Sequence, residues 1–347
     1  MSKYDVVVIG GGVMGTATTR ALARRGRKVA LLERFQIGHK RGSSHGAARI
    51  FRYSYPEKGY VQMAQEAHLL WKELEAEAGE RLMTTVGGLD VGPNLDANIE
   101  ALDAVRIPYE VLDGADVKRR FPMVNVGDDE TVLYQPDGAV VGAERTWYAL
   151  ARLALEEGAE IHDNAQAVKF EDGKFIKVST MTHEFEARAV VVTAGSWAKP
   201  LLAKVGIDLD VTPTRETVAY FKVPDERIPT LVSWEDPLIY ALPSLGQGIK
   251  VGEHIAGPVA DPNDIGEPDP ESVERIQAWV AKMFPWAEPF PHLKETCLYT
   301  NTPDESFVME RHGRIVVGSP CSGHGFKFAP LIGEHLATHA EAAVEVG

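Results

Sequence analysis

Residues 4–33 read YDVVVIGGGVMGTATTRALARRGRKVALLE. The run 4–9 is an almost unbroken series of β-branched residues, the pattern of a strand buried on both faces in a parallel sheet. Three glycines follow, and the spacing then predicts a helix over 13–25 closed by Gly26. A second strand over 28–32 ends at Glu33. This is a βαβ unit carrying G-x-G-x-x-G at Gly10, Gly12 and Gly15. Gly10 permits the tight turn, Gly12 lets a pyrophosphate approach the backbone, and Gly15 lets helix and strand pack closely. The helix N-terminus offers free N–H groups to the phosphates. Glu33, 23 residues beyond Gly10, is placed to accept hydrogen bonds from a ribose 2′-OH, which argues against a 2′-phosphate.

Segment 40–50 (KRGSSHGAARI) is rich in Gly, Ser and cations, a loop suited to phosphate or another anion. Over 59–78, Val61, Ala64, His68, Trp71, Leu74 and Ala78 recur at helical spacing, with His68 and Trp71 read as core residues. From 82 to 145 short alternating segments (GGLDVG, IPYEVL, TVLYQPDGAVV) are separated by Gly, Pro and Asp, as in an antiparallel sheet. Helical periodicity returns over 146–157, and AVVVTAG at 189–195 is another buried strand ending in a glycine turn. Segment 212–299 is strand-like and broken by prolines, with one helix capped by Asp269, begun by Pro270 and presenting Val273, Ile276 and Val280 on one face. RIVVG at 314–318 is a strand, followed by PCSGHGFKFAP and a helix from 331. The fold class is therefore α/β with an α+β insertion. A discontinuous dinucleotide-binding domain (1–80, 146–212 and 312–347) carries an inserted, mainly antiparallel substrate domain (81–145 and 213–311).

Composition agrees. At roughly 150 residues per domain, 347 residues suit two domains. A net charge of −14 and no local basic patch speak against nucleic acid as a partner. No apolar run approaches the roughly 18 residues of a membrane span, and no cleavable leader is evident. Two cysteines cannot build a disulfide framework, so a cytoplasmic location is expected. Either thiol has the chemistry of a nucleophile, although a buried inert thiol is the usual fate of such a residue.

Six motifs in order carry a resemblance over essentially the whole chain: GGGVMG with Glu33, RGSSHGAARIFR at 41–52, VVVTAGSWA at 190–198, GIKVGEH at 248–254, CLYTNTPDE at 297–305 and SGHGFKF at 322–328. The chain resembles the monomeric sarcosine oxidase and N-methyltryptophan oxidase group of the glutathione-reductase-like flavoproteins. The resemblance implies FAD as cofactor, bound covalently to the 8α position of the flavin by the cysteine of the CxYT…PDE segment, here Cys297. Cys321 has no counterpart. It implies oxidation of a secondary amino acid, sarcosine or another N-methyl amino acid, to an imine that hydrolyses, with oxygen reduced to hydrogen peroxide, by a monomer holding no metal.

The family's roles fall on individual positions. Arg52 and Lys327 match the pair that holds the substrate carboxylate, a bidentate fork and a point charge respectively. Lys250 matches the lysine placed where oxygen reacts, since a fixed positive charge favours superoxide formation in a dry site. Arg49, His254, Tyr240 and Tyr299 match residues around the flavin ring. Cofactor contacts are implied for Gly10, Gly12, Gly15, Glu33, Arg41, Ser43, Ser44, His45, Val168, Ala194, Gly195, Gly323, Gly325, Phe326 and Lys327, whereas His324 reads as a structural donor of its turn.

Where relatives commonly carry Asp-Thr-Arg this chain has Ala47-Ala48-Arg49, and where they carry His it has Tyr53. Both changes bear on which amine is used. Relatives usually continue past Gly347, so a trimmed C-terminus is expected. The alternatives are an oxidase of a cyclic imino acid such as pipecolate or proline, a flavin dehydrogenase with another acceptor, a nicotinamide dehydrogenase, and a flavoprotein without catalysis.

Overall fold

The computed structural model describes residues 2–93, 95–171 and 173–346; Met1 and Gly347, the ends of the terminal segments assigned above, lie outside the described residues with Asn94 and Asp172. The first strand, Ser2–Ile9, lies between Val29–Leu32 and Glu184–Val192, parallel to both. Val6, Val7 and Val8 are fully buried, which explains why this strand reads as continuous hydrophobic sequence. The sheet continues through Glu160–His162 on one side, and through Ile176–Ser179 and Lys169–Glu171 on the other, with Ile315–Ser319 also parallel to Glu184–Val192. Helices Val13–Arg24, Ala143–Glu156 and Ala329–Glu345 pack together over one face. The long helix Lys58–Ala78 joins the same core through Val61, Ala64, Trp71 and Leu74. His68 is only half-buried, its Nδ1 facing the Tyr53 hydroxyl.

A second sheet of eight strands runs Leu293–Asn301, Thr212–Phe221, Gly248–Glu253, Ile239–Ser244, Thr230–Ser233, Gly88–Val91, Val132–Gln135, Glu110–Leu112. It is antiparallel except where Thr230–Ser233 runs parallel to Gly88–Val91. Helix Pro270–Met283 covers it. Asp269 caps that helix by accepting from the Glu271 N–H at 3.1 Å, and Val273, Ile276 and Val280 are buried as the periodicity requires. A small third sheet, Ala48–Phe51, Ala139–Gly142 and Met83–Thr85, joins the two halves. The chain is thus a mixed α/β molecule with one largely parallel and one largely antiparallel sheet.

Three local details differ from the sequence reading. Segment 82–145, read as antiparallel strands, also holds the helices Asp96–Val105 and Gly114–Arg120, the second capped by Asp113. Helix Ala143–Glu156 starts three residues early, because Gly142 closes the preceding strand directly onto it. Val308–His312 hairpins onto Ile315–Ser319, so residues 308–311 pair within the parallel sheet and not with the insertion. No helix among the described residues is long and apolar enough to cross a membrane.

Candidate active site

A cavity of about 1140 Å³ runs from the first glycine turn to the concave side of the second sheet. At its nucleotide end the three motif glycines do different work. Gly10 has φ +105°, and a Cβ there would lie 2.6 Å from the Thr193 carbonyl oxygen. A Cβ on Gly15 would sit 1.8 Å from the Gly10 carbonyl oxygen, so helix and strand touch there. Gly12 has ordinary extended backbone (φ −63°, ψ 179°), and a Cβ would meet only the Ser44 hydroxyl at 3.1 Å. Its bareness serves the cavity. Ser44 Oγ accepts from the Val13 N–H at 2.9 Å, holding segment 42–46 against the helix N-terminus.

Glu33 closes this end. Its carboxylate accepts from the Gly11 and Phe35 N–H groups, each at 2.7 Å, and His39 Nε2 lies 3.4 Å away. Burial pushes its pKa up, but the bonds from His39, Phe35 and Gly11 outweigh this and hold it below the usual carboxylate range. An ionised carboxylate with spare lone pairs suits ribose hydroxyls. Ala194 and Gly195 line the cavity beside it. Four implied residues stand outside the lining: Gly15, which packs on the Gly10 carbonyl, His45, Arg41 and Val168. Arg41 reaches the Asn263 carbonyl at 2.7 Å, outside the lining. Val168 is tied to the Ser179 carbonyl and the Lys204 ammonium, and Gln166 and Ala167 line the wall instead.

The cavity centre gathers the residues implied for the flavin ring. Arg49 Nη2 donates to the Ser43 and His45 carbonyls at 2.8 and 2.7 Å, and its guanidinium faces the Phe326 ring. The Ser43 hydroxyl donates to the Leu298 carbonyl. His45 is buried with neither ring nitrogen partnered; burial, then Arg49 and Lys250, push its pKa down to about 3. Lys250 is buried on Gly248–Glu253 with the Ala48 carbonyl at 3.3 Å, and burial followed by Arg49 lowers its pKa to about 7. Cys297 lines the cavity from Leu293–Asn301. Burial pushes its thiol up, while Arg49 and Lys250 favour the thiolate. Cys321 also lines the cavity, its Sγ accepting from the Thr300 N–H at 3.4 Å. Geometry therefore brings both thiols to the site. Tyr240 and Tyr299 hydrogen-bond each other, and His254 lies 5.8 Å from the Tyr299 ring with Nε2 3.3 Å from Glu305 Oε2.

Arg52 and Lys327 lie together at the far end. The Arg52 guanidinium lies over Tyr55 (4.4 Å) and Trp234 (5.0 Å), donates to the Ser54 carbonyl and stands 3.8 Å from Asp90. Lys327 Nζ donates to the Tyr55 hydroxyl and the His324 carbonyl, both at 2.7 Å. Burial, then Arg52, hold its pKa well below the lysine range. His324 bridges the Tyr55 hydroxyl and the Glu305 carbonyl, as a structural turn residue would. Gly323, Gly325 and Phe326 line the wall beside it. Sequence reasoning passed over Tyr55, Trp234, Asp90 and His39. Tyr55, two residues beyond Tyr53 in FRYSY, offered a weak signal; Asp90 in GGLDVG and Trp234 in the strand-like stretch 212–299 carry no motif of their own, and His39 lies just ahead of segment 40–50.

These residues fit FAD. A bare glycine at a helix N-terminus and a carboxylate held ionised both face the cavity. Comparison with known proteins agrees. The family described as FAD dependent oxidoreductase matches residues 5–339. Peroxisomal sarcosine oxidase of Homo sapiens is 33% identical over 96% of this chain and 91% of its own length. Monomeric sarcosine oxidase of Streptomyces avermitilis is 34% identical over 96% and 92%. Among solved structures, the open form of NikD, titled an unusual amino acid oxidase essential for nikkomycin biosynthesis, superposes with a TM-score of 0.89. It is 26% identical and covers 100% of this chain and 95% of that one. With nearly its whole length matched and a cavity shaped for the cofactor, the chain belongs to the FAD-dependent oxidoreductase family and is an FAD-dependent amine oxidoreductase.

Proposed function

We propose that this enzyme, as a monomer, oxidises a secondary amino acid, sarcosine or another N-methyl amino acid, to an imine that water hydrolyses, with FAD attached to Cys297. The observation that carries this reading is the pair of cations in the wall of the cofactor cavity, Lys327 buried and Arg52 partly so. Asp90 stands 3.8 Å from Arg52 and among the described residues no carboxylate pairs with Lys327, so the pair suits a small anion, and the names of the sarcosine oxidase relatives support an N-methyl amino acid. FAD supplies the hydride acceptor and, with oxygen, the route to hydrogen peroxide.

The chain's own residues do the rest. Arg52 offers its in-plane N–H groups to the substrate carboxylate while Tyr55 and Trp234 cover its faces. Lys327, anchored by Tyr55 and the His324 carbonyl, adds a second point charge. Tyr240, Tyr299 and His254 wall the space above, excluding water from the reacting carbon. Lys250 places a cation on the opposite segment of wall, where it meets negative charge developing on oxygen.

An anaerobic screen of secondary amino acids, following the flavin absorption band, tests the reading. N-methyl amino acids are expected to bleach it, and oxygen uptake with peroxide release should follow in air. Bleaching only by cyclic imino acids would replace the substrate class, bleaching without oxygen uptake would make the enzyme a dehydrogenase, and no bleaching by any amine would overturn the reading.

A further inference from the structure

Asp90 is only 2% exposed, and it is the one charged side chain of the strand Gly88–Val91. Leu89 and Val91 enter the core beneath the sheet with helix Pro270–Met283. Asp90, between them, projects to the opposite face by the two-residue period of a strand. There it meets both walls of the carboxylate pocket. Its Oδ1 accepts from the Trp234 indole N–H at 2.8 Å and stands 3.8 Å from Arg52 Nη1. Its Oδ2 accepts from Gln135 Nε2 at 3.3 Å, and the Ser54 hydroxyl also bonds the carboxylate. Gln135 Oε1 in turn accepts from the N–H groups of Tyr53 and Ser54 at 2.8 and 3.1 Å. Asn98 Nδ2 donates to Ser54 Oγ at 2.7 Å. The cluster therefore grips the backbone on the C-terminal side of Arg52, the guanidinium itself, and the indole that covers it.

A buried carboxylate is costly to keep unless its lone pairs are filled. Here every donor belongs to a residue that touches Arg52 or fixes its chain. A guanidinium recognises a carboxylate only if its fork lies in the carboxylate plane. Yet an arginine has four side-chain torsions, and ring contacts alone leave it free to slide. Burial pushes the Asp90 pKa up, against Arg52 and the bonds from Trp234, Ser54 and Gln135; this carboxyl and the Trp234 bond remove that freedom before substrate arrives, which is the condition under which binding energy is not consumed in ordering.

We infer that Asp90 is a positioning residue of the substrate pocket: its buried carboxylate fixes the planes of Arg52 and Trp234, and through them sets how tightly an amino-acid carboxylate is bound. This rests on the assignment of Arg52 to the substrate carboxylate. The inference makes tilt of Arg52, and not its presence alone, the determinant of the Michaelis constant.

The test uses the flavin-loaded enzyme and two readouts, steady-state kinetics with the amine identified by the screen and propionate binding followed through the flavin spectrum. Asp90→Asn keeps the shape but removes the charge, and sets an amide N–H against Gln135 Nε2. It is expected to raise KM and the propionate dissociation constant about tenfold to a hundredfold, with kcat changed less than threefold and flavin content unchanged. Trp234→Phe deletes only the indole donor and is expected to give a smaller loss of the same kind; it serves as the readout if Asp90→Asn does not fold. Arg52→Gln gives the reference loss, and Asp90→Asn added to Arg52→Gln is expected to weaken propionate binding no further. If Arg52→Gln weakens propionate binding but Asp90→Asn and Trp234→Phe do not, the positioning role is overturned and the substrate assignment stands. If Arg52→Gln leaves propionate binding unchanged, the substrate assignment itself fails.

Discussion

Two buried lysines show how far a single residue type can be divided by its surroundings. Lys327 has a hydroxyl and a carbonyl at hydrogen-bond distance and Arg52 beside it, whereas Lys250 has one long contact to a carbonyl and Arg49 beside it. Lys327→Met is expected to slow anaerobic flavin reduction and raise KM, at about 3 kcal/mol or a hundredfold in kcat/KM. Lys250→Met should leave reduction nearly unchanged and slow the reaction with oxygen; stopped-flow measurement of the two half-reactions separates them. The pH dependence has a definite sign. With a pKa of about 7, Lys250 carries its charge fully below that value and loses it above. The oxygen reaction of the parent enzyme should therefore fall as pH rises through about 7, and the Lys250→Met enzyme should lack that step. Impaired reduction with normal oxygen reactivity in Lys250→Met would remove it from the oxygen site. Lys327 was legible in SGHGFKF because its turn is a continuous motif. Asp90 was not, because its meaning comes from Trp234 and Arg52, which reach it from distant strands and loops.

At the scale of an element, the first βαβ unit was readable nearly residue by residue, since its strand is buried on both faces and its turn is built by glycine. The structure puts distances on the division of tasks that the motif implies. Gly15 is required by the protein, whose own backbone lies 1.8 Å from a Cβ there, while the space at Gly12 is free of protein except for a rotatable hydroxyl. Gly15→Ala is therefore expected to lower the melting temperature of the polypeptide itself, as overpacking typically costs 1–3 kcal/mol. Gly12→Val should leave the cofactor-free fold close to normal but abolish flavin incorporation, read as the ratio of flavin to protein absorbance. A Gly12→Val protein that purifies fully yellow would rule out this binding mode. Helix Pro270–Met283 was equally legible, through Asp269, Pro270 and one apolar face. The strand Val308–His312 was not, because two half-buried apolar residues followed by three exposed polar ones carry no sign of which sheet they join.

Across the whole molecule, the return of buried β-branched runs at 189–192 and 315–317 signalled strands that rejoin the first sheet. Strand order in the second sheet had no such signal, because antiparallel strands of similar length and polarity are interchangeable on paper. What the order achieves is visible in the cavity: Leu293–Asn301 and Gly248–Glu253, both paired to Thr212–Phe221, bring Cys297 and Lys250 to the lining beside Arg49. Residues of both sheets line the cavity, so FAD bound there would be expected to stabilise the molecule as a unit. In the parent protein the flavin is expected to remain with the polypeptide through acid precipitation and denaturing electrophoresis. Cys297→Ser should release it while Cys321→Ser should not, and the opposite result would exchange the two thiols. Because Cys297→Ser makes the association reversible, it also allows the coupling to be measured. FAD at a thousandfold its dissociation constant adds about 4 kcal/mol to the folded state. At roughly 2–4 °C per kcal/mol, the melting temperature of Cys297→Ser should then rise by the order of ten degrees in a single cooperative transition. Two separate transitions, of which FAD moves only one, would mean that the cofactor belongs to the nucleotide domain alone and that the two sheets melt independently.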